Sequence, residues 1–208
     1  MIAVHHLGLF VFSGLLLNIT PGQDTLYIVG RTMSQGRRAG LLSVLGIASG
    51  SIIHTLAAAF GLSAILATSA MAFTIVKLAG AAYLVYLGIR MLLHREATPT
   101  AAPAFTAERG WAVYRAGLLT NVLNPKVALF FMAFLPQFVD PTAGSRALPF
   151  LFLGTVFVVN GTLWCLVLVT GAAAIGRRLR QSASVAILLR RATGVIFVGL
   201  GARLATSR

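Results

Sequence analysis

The sequence predicts an all-α membrane protein of six transmembrane helices built as two inverted three-helix repeats, with helix breaks at Pro21 and Pro125. Three observations carry that expectation. Hydrophobic residues make up 58% of the 208-residue chain against 10% charged, at a mean hydropathy of +0.89, which is far more apolar than a soluble domain of this length. Six stretches approach the roughly 20 apolar residues that a bilayer core requires of a helix. A small set of motifs also occurs twice, in the same order.

Taken in order, the spans are 5–30, 40–66, 68–93, 112–138, 147–175 and 187–206. The first lacks a basic leading region and a small-residue cleavage site, so it reads as a retained span rather than a signal peptide. The longest polar piece, HREATPTAAPAFTAERG at 94–110, is rich in Pro, Ala and Thr and reads as a flexible linker. The organisation expected is therefore a first repeat over 1–93, a cytoplasmic linker over 94–111 and a second repeat over 112–208, forming one transmembrane domain.

The net charge of +13 would point to nucleic acid in a soluble protein, but here the cations sit at the ends of apolar runs, which suits lipid headgroups and topology. Arg31, Arg37 and Arg38 follow span one. Arg90, Arg95, Arg109 and Arg115 flank the linker, and Arg177, Arg178, Arg180, Arg190 and Arg191 follow span five. Basic connections are cytoplasmic ones, so both termini are expected outside, although Arg203 and Arg208 run against the pattern. The single Cys165 excludes a disulfide framework and cysteine-pair redox chemistry within one chain, and no cofactor motif is present.

The two halves resemble each other. Lys77, Gly80, Tyr83, Gly88 and Arg90 align with Arg191, Gly194, Phe197, Gly201 and Arg203 with one residue deleted. Thr20-Pro21 corresponds to Asn124-Pro125, and Gly46, Gly50 and Ser51 correspond more loosely to Gly154, Gly161 and Thr162. Small residues recur in any packed membrane helix, but three matches in one order are harder to assign to chance. With an odd number of spans each, the copies must be inverted, an architecture that transporters use with the substrate held near the midplane on broken helices.

The segments TPGQD at 20–24, KLAGAAYLVYLGIRML at 77–92 and NPKVALFFMAFLPQFVDP at 124–141 resemble the LysE/RhtB family of bacterial amino-acid exporters, and the likeness runs over essentially the whole chain. The family's first motif is usually Pro-Gly-Pro; here the third position is Gln23. The resemblance implies a six-helix inner-membrane protein that exports an amino acid or derivative such as homoserine, threonine, leucine or lysine, driven by the proton gradient.

The residues at the breaks suit that chemistry. Proline fits the first helical position, with Thr or Asn favoured before it as the cap, so Thr20-Pro21 and Asn124-Pro125 both read as helix starts in mid-span. Each start offers free N–H groups and a positive dipole end to an anion. Lys126 adds a positive charge and Asp24 a negative one, complementary to a zwitterion: the substrate carboxylate is expected near Lys126 and its ammonium near Asp24, which is also the candidate proton carrier.

Blander readings stand beside these. Thr20 and Gln23 have capping-box spacing around Gly22, and Asp24 lies where a helix dipole stabilises an acid or where it pairs with Lys126. His54 is a proton relay or a hydrogen-bonded packing residue; Asn18, Asn121 and Asn160 line the path or tie helices together. Lys77 and Arg90 are explained by snorkelling, the Phe and Trp residues by lipid contact or packing, and Gly46/Gly50 by packing within the chain or in a homo-oligomer. Two other functions compete with amino-acid export. A metal-cation exporter has little support, since the chain has only four acids and no ligand cluster. An integral-membrane enzyme would have to rest on Ser51 and His54.

Overall fold

The computed structural model describes residues 4–62, 108–140 and 147–175, with scattered single positions between 71 and 93 and between 191 and 202. All regular structure among the described residues is helical, apart from one isolated bridge joining Val4 to Val139. Most of the third and sixth predicted spans, Lys77 of their Lys77/Arg191 match and most of the linker lie outside the described residues. The third span's described positions Met71, Ile75, Leu78, Tyr86 and Ile89 are helical and expose apolar side chains.

The first predicted span is two helices, α1 (Leu7–Ile19) and α2 (Gln23–Gln35). The α1 helix has no charged side chain, and it ends where Thr20 turns to extended backbone and returns its N–H to Leu16. The α2 helix runs five residues beyond the expected end at 30. Arg31, read from the sequence as a loop cation, is instead inside α2 and buried, because it pairs with Glu108 at 2.9 Å, donates to Gln35 and lies over the Tyr27 ring. Gly36, at φ 83°, allows the chain to reverse into α3 (Arg37–Leu56), which continues as a wider π-helical stretch to Leu62.

The fourth span is α4 (Gly110–Val122), a two-residue break, and α5 (Pro125–Leu129), which runs on through π and 3₁₀ turns to Phe138. The two pieces are bent by 45° at the break. The fifth span, α6 (Ala147–Ile175), is one unbroken helix with the expected bounds. By length and composition, two of the described helices can cross a membrane, Arg37–Gly61 and Ala147–Ala172, or three spans if the bent pair is one.

The α3 helix packs most extensively on α4, and glycines set how closely. A Cβ at Gly46 would collide with the Tyr114 carbonyl oxygen, and one at Gly117 would lie 2.9 Å from the Ser43 carbonyl oxygen. Gly46 and Gly50 therefore pack within the chain. Two apolar clusters result. One gathers Phe10, Phe130, Phe131, Phe134, Phe138 and Phe157 between α1, the irregular turns after α5 and α6, with ring centroids as close as 4.7 Å. The other gathers Tyr27, Ile28, Val44, Ile47, Cys165 and Val169. Phe134, Leu135 and Phe138 of the aromatic FLPQF segment thus lie in a core.

Candidate functional site

A cavity lies between the two clusters, taking Val127 and Phe157 from one and Val44, Ile47 and Cys165 from the other. Its polar lining includes Asn18, Asp24, Thr25, Ser51, Asn121, Lys126, Thr162 and Trp164. The space open to the centre of a water molecule is about 30 Å³. That holds about one or two waters, too little for an amino acid.

Two local solutions place the charged residues. At the second break Asn124 accepts a hydrogen bond from the Lys126 N–H at 3.0 Å with Pro125 at the first helical position, as the sequence predicts. The first break departs from the prediction. The residue that caps α2 is Gly22, without a side-chain cap, and the first helical residue is Gln23, not Pro21. Thr20 forms no capping box, because its hydroxyl donates back to the Leu16 carbonyl at 2.7 Å. Gln23 and Pro21 are exposed and do not line the cavity.

Lys126 closes this break from the other half of the chain. Its ammonium donates to the carbonyls of Leu17 (2.9 Å) and Thr20 (3.0 Å), so a cation sits at the negative end of α1 and satisfies acceptors the helix leaves open. Gly22 makes room, since a Cβ there would lie 3.2 Å from the Lys126 Nζ.

Asp24, in the first turn of α2, accepts from Asn121 Nδ2 at 2.9 Å through Oδ2. Its Oδ1 is buried without a hydrogen-bond partner. Asp24 and Lys126 line one cavity without a direct ion pair between them, and each is hydrogen-bonded to other groups.

Asn121 is buried and fully engaged. Besides Asp24, it accepts from Ser51 Oγ at 3.2 Å on Oδ1, and its carbonyl oxygen lies 3.1 Å from His54 Nε2. A carbonyl only accepts, so that nitrogen carries the hydrogen. His54 lies against Phe131 with the rings tilted by 32° and does not line the cavity, which fits the packing reading. Ser51 and His54 both donate to Asn121 rather than to each other, so they do not form a nucleophile–base pair.

The Asn18 amide, ahead of the first break, lies over Gly161, where a Cβ would be 3.3 Å from Nδ2. That Nδ2 is buried without a partner, as are Asn124 Nδ2 and Trp164 Nε1. Asn160 reaches the Val11 carbonyl at a long 3.5 Å and ties α6 to α1. Among the described residues no three His, Cys, Asp or Glu side chains gather.

The structure thus brings Asn18, Gly22, Asp24, Asn121 and Lys126 together in the cavity lining, while Thr20, Pro21, Gln23, Asn124, Pro125 and His54 do not line it. Sequence reasoning missed the cavity roles of Thr25, Thr162 and Trp164. The available signal was helical spacing: Val44, Ile47, Ala48 and Ser51 form one face of α3, and Phe157, Gly161, Thr162 and Cys165 form one face of α6.

The family profile described as "LysE type translocator" matches residues 15–208. A protein of Vibrio cholerae named "Uncharacterized membrane protein" is 32% identical over 200 residues, covering 96% of this chain and 96% of that protein. The "Leucine efflux protein" of Enterobacter sp. is 29% identical over 197 residues, or 95% and 93% of the two chains. The "Leucine efflux protein" of Salmonella choleraesuis is 27% identical over the same length and shares. No solved structure matches the chain.

Proposed function

The chain belongs to the LysE type translocator family, and from that premise we propose that it exports a small amino acid of the leucine type across the bacterial inner membrane in exchange for protons. The name carried by relatives in Enterobacter and Salmonella supports the substrate class, as do the apolar walls offered by Val44, Ile47, Val127 and Phe157.

The observation that carries the reading is the buried, unpartnered Oδ1 of Asp24 at a cavity closed by apolar clusters. A buried carboxylate oxygen without a donor is costly, and a substrate ammonium supplies the missing donor. Asn121 holds the other oxygen, so the acceptor is aimed before substrate arrives. A proton on Asp24 removes the charge that retains the ammonium. One carboxylate therefore binds substrate or proton in turn, which is the logic of exchange.

The chain plan proposed with this function is six spans in two inverted halves, 1–93 and 112–208, joined by 94–111, with both termini outside. Reciprocal contacts support it. The second helix of the first half presents Gly50 to Asn121, and that of the second half presents Gly161 to Asn18. Each half thus rests on the asparagine ahead of the other's break. Because the cavity is far smaller than an amino acid, transport requires the two clusters to part alternately as the halves rock.

The test is amino-acid retention. Cells preloaded with labelled leucine lose it faster when they carry the chain, and an uncoupler slows that loss. Equal retention of every amino acid tested, with and without the chain, would sink the reading.

A further inference from the structure

Two buried N–H groups at the cavity have no acceptor: Asn18 Nδ2, from α1, and Trp164 Nε1, from α6. They belong together, because the Asn18 amide lies over Gly161 and Trp164 follows Gly161 by three residues, on the same side of the helix. Both groups donate only at these atoms. An unmade bond to a buried donor is paid for in stability, so a pair of them beside a cavity points to an acceptor that arrives with a ligand. The lone Asp24 Oδ1 is the opposite case, an acceptor waiting for a donor.

Lys126 is the obvious alternative anchor for an anion, and the sequence alone favours it. Its ammonium, however, is already donating to the Leu17 and Thr20 carbonyls, and moving it would leave both open. Asn18 and Trp164 have no such commitment, and the Lys126 charge nearby favours an anion without touching it.

We propose that Asn18 and Trp164 form the carboxylate subsite, their N–H groups binding the α-carboxylate of a free amino acid whose ammonium is held by Asp24. This rests on the amino-acid reading above and adds to it a selection rule: the substrate must have an unblocked carboxylate. Amides and esters of the same amino acid keep the ammonium contact and lose the anionic acceptor. A site built to hydrogen-bond a group rejects the analogue that lacks it, because its own buried polar atoms are then left unpaired.

The experiment is ligand-induced thermal stabilisation of the purified full chain in detergent, titrated with L-leucine and with L-leucinamide. The variants are Asn18→Asp, which keeps the size and adds a negative charge, and Trp164→Phe, which removes the N–H and keeps most of the ring. Wild type is half-saturated at lower leucine than leucinamide. In each variant the leucine value rises by about 10-fold or more, while leucinamide stays within about twofold of wild type in Trp164→Phe and is unchanged or tighter in Asn18→Asp, whose added charge favours a cation. A fold defect weakens both ligands alike, so equal losses overturn the proposal, as does a leucine value unchanged in both variants. If wild type responds to leucine and both variants respond at the same concentration, the subsite is wrong and the amino-acid reading stands. If no amino acid stabilises wild type, the amino-acid reading falls and the subsite falls with it.

Discussion

The two helix breaks share a proline preceded by a cap-type residue, Thr20-Pro21 and Asn124-Pro125, but are closed by different means. At 123–124 the chain caps itself: Asn124 takes the Lys126 N–H and Pro125 starts the next helix. At 20–22 nothing local does the work. Thr20 turns its hydroxyl back to Leu16, Gly22 has no side chain to offer, and the carbonyls of Leu17 and Thr20 are satisfied by Lys126. The self-contained break therefore supports the dependent one, and a residue that reads as a substrate ligand is first a structural clamp between the halves. The asparagines ahead of the breaks differ in the same way. Asn121 has partners for its amide and its carbonyl, whereas Asn18 Nδ2 has none, so the site's unfilled capacity lies on the side of the first break and of α6.

Substitutions can break or sharpen this contrast. The largest effect is expected from Lys126→Met, which leaves two buried carbonyls without donors; thermal unfolding in detergent should report a loss on the order of 3 kcal/mol. Lys126→Arg, which keeps the charge and donors, should recover part of it. Asn124→Ala removes one cap from the self-contained break, and the same measurement should give about 1 kcal/mol. A loss at Asn124 as large as at Lys126 would mean that the breaks are not closed as described. The smallest effect is expected at Gln23→Ala. The side chain is exposed and makes no cap, so stability should stay within about 0.5 kcal/mol, whereas a capping box would make it cost more.

The contrast also explains what the sequence could reveal. The second break was legible because Asn-Pro acts through its own neighbours. The first was legible as a place but not as a mechanism, since its closing group lies about a hundred residues away. The bounds of α6 were legible from hydropathy alone, because nothing interrupts 147–175. Asp24 stood out as an acid in an apolar run, and the structure lines a cavity with it. Trp164 did not stand out, and Thr162 did so only as a repeat match: α6 is so uniformly apolar that helical spacing groups its residues into faces without showing which face meets the cavity. Arg31 was misplaced for the opposite reason. Its charge suggested a loop, but Glu108 neutralises it inside the fold.

The central claim is that Asp24, not Lys126, is the charge that binds substrate, and leucine counterflow in proteoliposomes tests it most directly, since exchange needs binding and alternation but no proton gradient. Asp24→Asn should fold normally, because an amide oxygen can still accept from Asn121, and it should lose counterflow by about 10-fold or more for want of the charge-assisted contact. Counterflow at the wild-type rate in a well-folded Asp24→Asn protein would contradict the account.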